Sequence, residues 1–160
     1  HYVDRIYAYL YRRMGNVRAA EDLTSRTFYR ALSHLSDYED KGLPFAAWLY
    51  RIAHNLMANW HRDRNRRPVV ALDTLVIENV IEPQPESTVE LGYDVQLMRE
   101  VIRTLDHTRQ ELLVLKFTEG LMNKEIGTIM GRSEGAIKSL YHRTLMELRE
   151  KMAKKGLDVK

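Results

Sequence analysis

The sequence predicts an all-α protein of two small helical domains joined by a flexible acidic linker. Apolar residues recur at spacings of three and four along most of the chain, and no segment alternates convincingly with period two. Two basic blocks flank an acidic, proline-containing stretch. Residues 1–68 hold 12 Lys/Arg against 7 Asp/Glu, residues 69–94 hold 6 acidic and no basic side chains, and residues 95–160 hold 13 against 9. A net charge of only +3 therefore hides two cationic surfaces, as expected of a protein that touches a polyanion at two places. The implied boundaries are 1–67, 68–94 and 95–160.

The 160 residues, 44% of them hydrophobic, suffice for one ordinary core or two small ones. The absence of cysteine excludes disulfides and thiolate metal sites and suits a reducing cytoplasm. No apolar run approaches the roughly 20 residues of a membrane span, and no signal peptide is visible. His1 begins inside a helical pattern, so the chain looks trimmed at its N-terminus.

Val3, Ile6, Tyr7, Leu10 and Met14 mark a first helix that stops near Gly15. Asn16 is placed to cap a second, whose apolar positions are Val17, Ala20, Leu23, Thr27, Phe28, Ala31, Leu32 and Leu35. A polar loop, 36–44, leads to Pro44, a residue tolerated where a helix begins. The third helix, from Phe45 to about Arg64, buries Phe45, Leu49, Ile52, Ala53, Leu56 and Trp60. Short apolar runs at 69–72 and 75–81 fall in the linker.

Residues 119–143 have the grammar of a helix-turn-helix. Asn123 is expected to cap the first helix, Ile126, Ile129 and Met130 give it an apolar face, and Gly131 ends it. Ser133 is expected to cap the second, with Ile137, Tyr141, Thr144, Leu148 and Met152 on one side. At about 100° per residue the opposite side carries Gly135, Lys138, Ser139, His142 and Arg143. Short polar and cationic residues in the first turns suit a recognition helix in a major groove.

The third helix carries a second constellation. Arg51, Asn55 and Arg62 share one stripe, Asn59 lies beside it, Trp48 and Trp60 sit near the edges of the core, and a cationic tail runs from Arg62 to Arg67. Amides, guanidiniums and nearby aromatics are the chemistry of single-strand binding. The alternative for the tryptophans is a purely structural place in the core.

Two groups of residues resemble a known family. Ala20-Glu21-Asp22-Leu23 with Phe28 and Arg30, followed by residues 48–55 (WLYRIAHN), look like region 2 of a bacterial RNA polymerase sigma factor. Residues 115–121 (LKFTEGL), Lys124-Glu125-Ile126, Met130-Gly131 and 135–139 (GAIKS) look like its region 4. With only these two regions and a short linker, the resemblance is to the extracytoplasmic-function (ECF) group of the sigma-70 family, which lacks region 3. It implies a region 2 helical bundle and a region 4 helix-turn-helix. The helix around Asp22, Leu23, Ser25, Arg26, Phe28 and Arg30 would dock the β′ clamp helices of core RNA polymerase. Asp40, Lys41, Trp48, Arg51, Asn55, Asn59 and Arg62 would capture the minus-ten element as melted single strand, with a base flipped from the stack. Arg132, Ser133, Glu134, Lys138, Ser139, His142 and Arg143 would read the minus-thirty-five element as duplex. Region 4 would also touch the β flap, the acidic linker would thread toward the RNA exit channel, and an anti-sigma factor would regulate the whole.

The chain departs from the group's usual pattern at Ser25 and Arg26, at Asn59, at Leu140 and Gly127, and at Asp106-His107. Leu140 and Met146 are expected to meet a partner protein. Enzymatic chemistry finds no support: no paired-His metal motif, Gly-rich phosphate loop or Ser-His-Asp spacing is present, and no cofactor is implied. His34, His54, His61, His107 and His142 are scattered. Glu21 and Asp22 diverge by about 100° on their helix and cannot share a substrate proton. The competing reading is a helix-turn-helix regulator whose N-terminal helices dimerise or sense a signal. A third is a pure interaction protein that sequesters an anti-sigma factor without binding DNA.

Overall fold

The computed structural model describes residues 1–64 and 89–156. Seven α-helices account for most of them: α1 (Tyr2–Met14), α2 (Val17–Ser33), α3 (Phe45–Arg64), α4 (Val89–Arg103), α5 (His107–Leu113), α6 (Asn123–Met130) and α7 (Glu134–Lys154). A 3-10 turn, Leu35–Asp37, follows α2, and a π-helical turn, Val114–Thr118, continues α5. The described residues contain no strand. Most of the expected linker, including both of its apolar runs, lies outside the described residues. Helix α4 begins at Val89, inside the stretch that charge assigned to the linker.

Local signals fix most of the helix ends. Gly15 closes α1 in the left-handed region, at φ 60°, with its N–H donating to the Tyr11 carbonyl at 2.8 Å. The Asn16 side chain accepts from the Ala19 N–H at 2.9 Å, and Asp106 accepts from the Arg109 N–H at the same distance. Ser133 caps α7 by accepting from the Ala136 N–H. Helix α6 is the exception, because Asn123 does not cap it. Its first turn is closed by Glu125, whose carboxylate accepts from the Met122 N–H at 2.7 Å, and a carboxylate there also meets the positive end of the helix dipole. The Asn123 amide oxygen instead accepts from Lys116 Nζ.

Helix α3 organises the packing, with α1 and α2 on one side and α6 on the other. Leu49, Ala53 and Leu56 are buried as the periodicity predicts, and Ala47, Tyr50 and Met57 are buried as well. One apolar cluster therefore runs from Ile6, Tyr9, Leu10 and Leu23 through α3 to Leu112, Leu115, Ile126, Ile129 and Ile137. At about 1.5–3 kcal/mol per large apolar side chain removed from water, it is the main cohesive term.

Some expected core positions are exposed: Val3, Val17, Leu32 and Leu35. Leu32 lies about 120° around α2 from Ala20, outside the arc set by Ala20, Leu23, Thr27 and Ala31. Leu140 corrects the expectation of a partner contact. It is only 6% exposed and joins the core, because it lies one turn after Ile137 and one before Thr144. Met146 does point outward, at 60% exposure.

Candidate nucleic-acid interface

The turn between α6 and α7 is unusually tight. Gly131 ends α6 at φ 65°, and the Arg132 N–H donates to the Gly127 carbonyl at 2.8 Å. A Cβ at position 127 would lie 2.6 Å from the Arg132 carbonyl oxygen, so glycine is required there. The turn presents Arg132, Ser133 and Glu134, and the outer face of α7 presents Lys138, Ser139, His142 and Arg143, all exposed. Ser133 has its hydroxyl engaged as the cap. Lys138 Nζ lies 3.1 Å from Glu134, an exposed pair weak enough for a phosphate to displace. Arg132 and Arg143 border an open cleft of about 440 Å³ whose other wall is Asp106, His107, Thr108 and Arg109. Sequence reasoning missed Arg109, which Asp106 and Glu147 hold in place.

On α3, Arg51, Asn55, Asn59 and Arg62 are exposed along the helix, and the Arg62 guanidinium donates to the Asn59 amide oxygen at 2.8 Å. Trp48 is half-buried in an aromatic group, its ring centroid 4.9 Å from Tyr38 and 5.4 Å from Phe45. A small pocket beside it is lined by Tyr38, Lys41, Pro44, Trp48, Arg51 and, from α6, Thr128. Tyr38 went unnoticed in the sequence because it stands alone in a polar loop. Asp40 shapes that loop by accepting from the Gly42 N–H, and Lys41 pairs with Glu39 at 3.6 Å. Trp60 is half-buried against the core. The cationic tail beyond Arg64 lies outside the described residues.

A third surface lies on α2. Asp22, Ser25, Arg26 and Arg30 are exposed and Phe28 is half-buried, whereas Leu23 is completely buried and cannot contact a partner. Its place on the outer face is taken by Tyr29 and Leu32, 74% and 71% exposed, beside the Asp22–Arg26 pair at 3.6 Å. The spacing 22, 25, 29, 32 is one helix stripe, and that periodicity was the available signal.

Two buried carboxylates from the C-terminal half cross to the N-terminal helices. Glu111 accepts from the Tyr9 hydroxyl and lies 2.7 Å from His54 Nδ1. Glu119 accepts from the Tyr50 hydroxyl and from Arg12 at 3.3 Å, with Arg5 at 3.6 Å. Arg13, itself buried, donates to the His107 carbonyl at 2.9 Å. Burial pushes the Glu111 carboxyl up, but the His54 contact, the Arg13 charge and the Tyr9 hydroxyl outweigh it and hold it below the ordinary carboxylate range. Burial and then the neighbouring carboxylates push the Tyr9 and Tyr50 phenols up.

Among the described residues, no three His, Asp or Glu side chains gather as a metal site requires, and no helix is long and apolar enough to cross a membrane.

Comparison with known proteins agrees with this geometry. Residues 1–67 match the family described as Sigma-70 region 2, and residues 96–148 match Sigma-70, region 4. The ECF RNA polymerase sigma factor BldN of Streptomyces coelicolor is 37% identical over 147 residues, which is 92% of this chain and 56% of BldN. SigE of Mycolicibacterium smegmatis is 34% identical, over 96% of this chain and 59% of SigE. The chain thus spans little more than half the length of these two relatives. SigW of Bacillus subtilis is 31% identical over 94% of this chain and 84% of SigW. The sigma factor RpoE, solved in complex with the anti-sigma factor NepR from Bartonella quintana, superposes with a TM-score of 0.69 at 21% identity, covering 95% of this chain and 92% of that one, and so shares the fold. The chain belongs to the ECF RNA polymerase sigma factors.

Proposed function

We propose that this chain joins core RNA polymerase, recognises the minus-thirty-five element as duplex and the minus-ten element as melted single strand, and so directs promoter-specific transcription initiation. The observation that supports this most is the pairing of two different exposed faces on one chain. The α7 face has short polar and cationic groups without exposed aromatics and suits an intact groove. The α3 face adjoins the Tyr38–Phe45–Trp48 group and suits an unstacked base. A helix-turn-helix regulator that only reads duplex has no use for the second face.

The partners follow from the surfaces. The Asp22, Ser25, Arg26, Tyr29 and Leu32 stripe offers apolar area and charge for the β′ clamp helices. Phe117 on the π-helical turn and Met122 at the start of α6, both exposed, suit the β flap. An anti-sigma factor, as bound by RpoE of Bartonella quintana, would cover part of these surfaces. The chain makes and breaks no covalent bond in this role. Binding energy for melted DNA shifts the closed-to-open equilibrium of the promoter, in the cytoplasm where the polymerase works.

The test is transcription in vitro with purified core polymerase and fragmented genomic DNA. Start sites that share a pair of upstream motifs support the reading, and starts no different from core polymerase alone refute it.

A further inference from the structure

Gly135 stands in the first turn of α7, just after Glu134 and the Ser133 cap, and it is exposed. Nothing inside the protein calls for glycine there. Its φ is not positive, and a Cβ built on it would meet no atom within 4 Å. Gly15, Gly120 and Gly131, by contrast, hold a positive φ, and Gly127 has no room for a methyl group. Glycine is among the poorest helix formers, because it loses the most backbone freedom on ordering. The chain therefore carries a local loss of stability at Gly135 that its own packing does not offset.

The position of Gly135 on α7 suggests what does. At about 100° per residue it lies in the middle of the face proposed to enter the major groove. His142 is about 20° away, Ser139 about 40° on one side and Lys138 about 60° on the other. Along that face the centre is short and the borders are long. The Ser139 hydroxyl sits one bond beyond its Cβ, whereas Lys138 and Arg143 reach outward, toward where phosphates would run.

Such a face can read bases only if the backbone comes close. The major groove is about 12 Å wide and a helix with its side chains about 10–12 Å across, so the leading turn decides how deep the helix sits. A methyl group at 135 would hold that turn off by roughly 1.5 Å, one carbon–carbon bond. A hydroxyl hydrogen bond of about 2.8 Å does not survive that stretch. Long, flexible Lys138 adjusts to the same displacement and keeps its phosphate.

We infer that Gly135 is a positioning residue for base reading: its missing side chain lets the first turns of α7 seat against the base edges of the minus-thirty-five duplex, within reach of the Ser139 hydroxyl. This rests on the duplex-reading role proposed above and adds the residue that sets the depth of entry.

Gly135→Ala, made in the full chain, separates this from a structural role, because stability and recognition should move in opposite directions. The midpoint of thermal unfolding should rise by about 1–4 °C. Holoenzyme assembled with core polymerase is then titrated, by fluorescence anisotropy, with two labelled duplexes. One carries only the upstream motif shared by the start sites of the parent holoenzyme, and the other carries that motif scrambled. Affinity for the motif duplex should fall at least about tenfold. Affinity for the scrambled duplex should change by less than about twofold, because phosphate contacts carry it. Gly135→Leu, a larger but good helix former, should bring the two duplexes to nearly equal affinity. A Gly135→Ala chain that melts earlier than the parent overturns the inference, since glycine then has a use within the fold. An unchanged preference for the motif duplex overturns it too, while transcription from the same starts leaves the sigma-factor reading standing. A parent holoenzyme that prefers neither duplex overturns the duplex-reading role, and the role of Gly135 with it.

Discussion

Glu111 and Tyr9 are 102 residues apart in sequence and meet in a hydrogen bond at the buried junction of the two halves. This bond places the carboxylate of one helix-turn-helix domain inside the core of another bundle. Such a group tolerates no loss of partner, so the junction should respond strongly to single changes.

Glu111→Ala should lower the free energy of unfolding by about 3 kcal/mol, because the Tyr9 hydroxyl and the Arg13 charge lose their buried counterpart. Urea unfolding of both chains checks this. A loss below about 1 kcal/mol would mean that water already reaches the carboxylate.

Stability should have a plateau bounded on both sides by pH. The Glu111 carboxyl is held low, so its contribution is present above about pH 4.3 and is lost as pH falls through its folded value. Burial and the Arg13 charge hold the His107 imidazole low too, so the unfolded chain takes up a proton first and stability falls below about pH 6.5. Tyr9 and Tyr50 are raised, so their contribution is intact below about pH 10 and declines as pH rises beyond it. Urea midpoints measured across pH should trace this shape, and Tyr9→Phe or Tyr50→Phe should each remove a late-ionising component from the tyrosinate absorbance.

Gly127→Ala should destabilise the helix-turn-helix by about 1–3 kcal/mol, since the new methyl group meets the Arg132 carbonyl. Thermal unfolding reads this directly. No loss would show that the turn can relax.

Tyr29→Ala with Leu32→Ala should leave folding intact, because both side chains are exposed, and weaken core polymerase binding at least about tenfold. Fluorescence titration with labelled polymerase measures the change.

Much of the fold was legible in the sequence because caps and apolar spacing are local. Asn16 and Ser133 cap the helices their positions announced. The cap of α6 was misassigned because two candidate side chains stand two positions apart, and Glu125 reaches the Met122 N–H while Asn123 turns to Lys116. The second buried face of α3 was invisible for a different reason. Ala47, Tyr50 and Met57 are buried, Tyr50 against Tyr9 and Glu119, partners remote in sequence, and no local pattern reports that a second face will be covered. The same holds for Glu111 and Glu119, which resemble ordinary surface acids until tertiary packing supplies their donors. The residues proposed to face DNA were easier to find, since exposure of Lys138, Asn55 and Arg62 follows from the helix period alone.

The central claim is that one chain carries a face for duplex and another for unpaired bases. Permanganate reactivity of thymines in a promoter bound by the assembled polymerase, read together with upstream footprinting, tests it most directly. Asn55→Ala with Arg62→Ala should keep the upstream footprint and abolish reactivity at the minus-ten element. Lys138→Ala with Arg143→Ala should weaken the footprint and lower the salt dependence of duplex binding by roughly two in the log–log slope. Undiminished thymine reactivity in the Asn55/Arg62 variant, or an unchanged slope in the Lys138/Arg143 variant, would contradict the account.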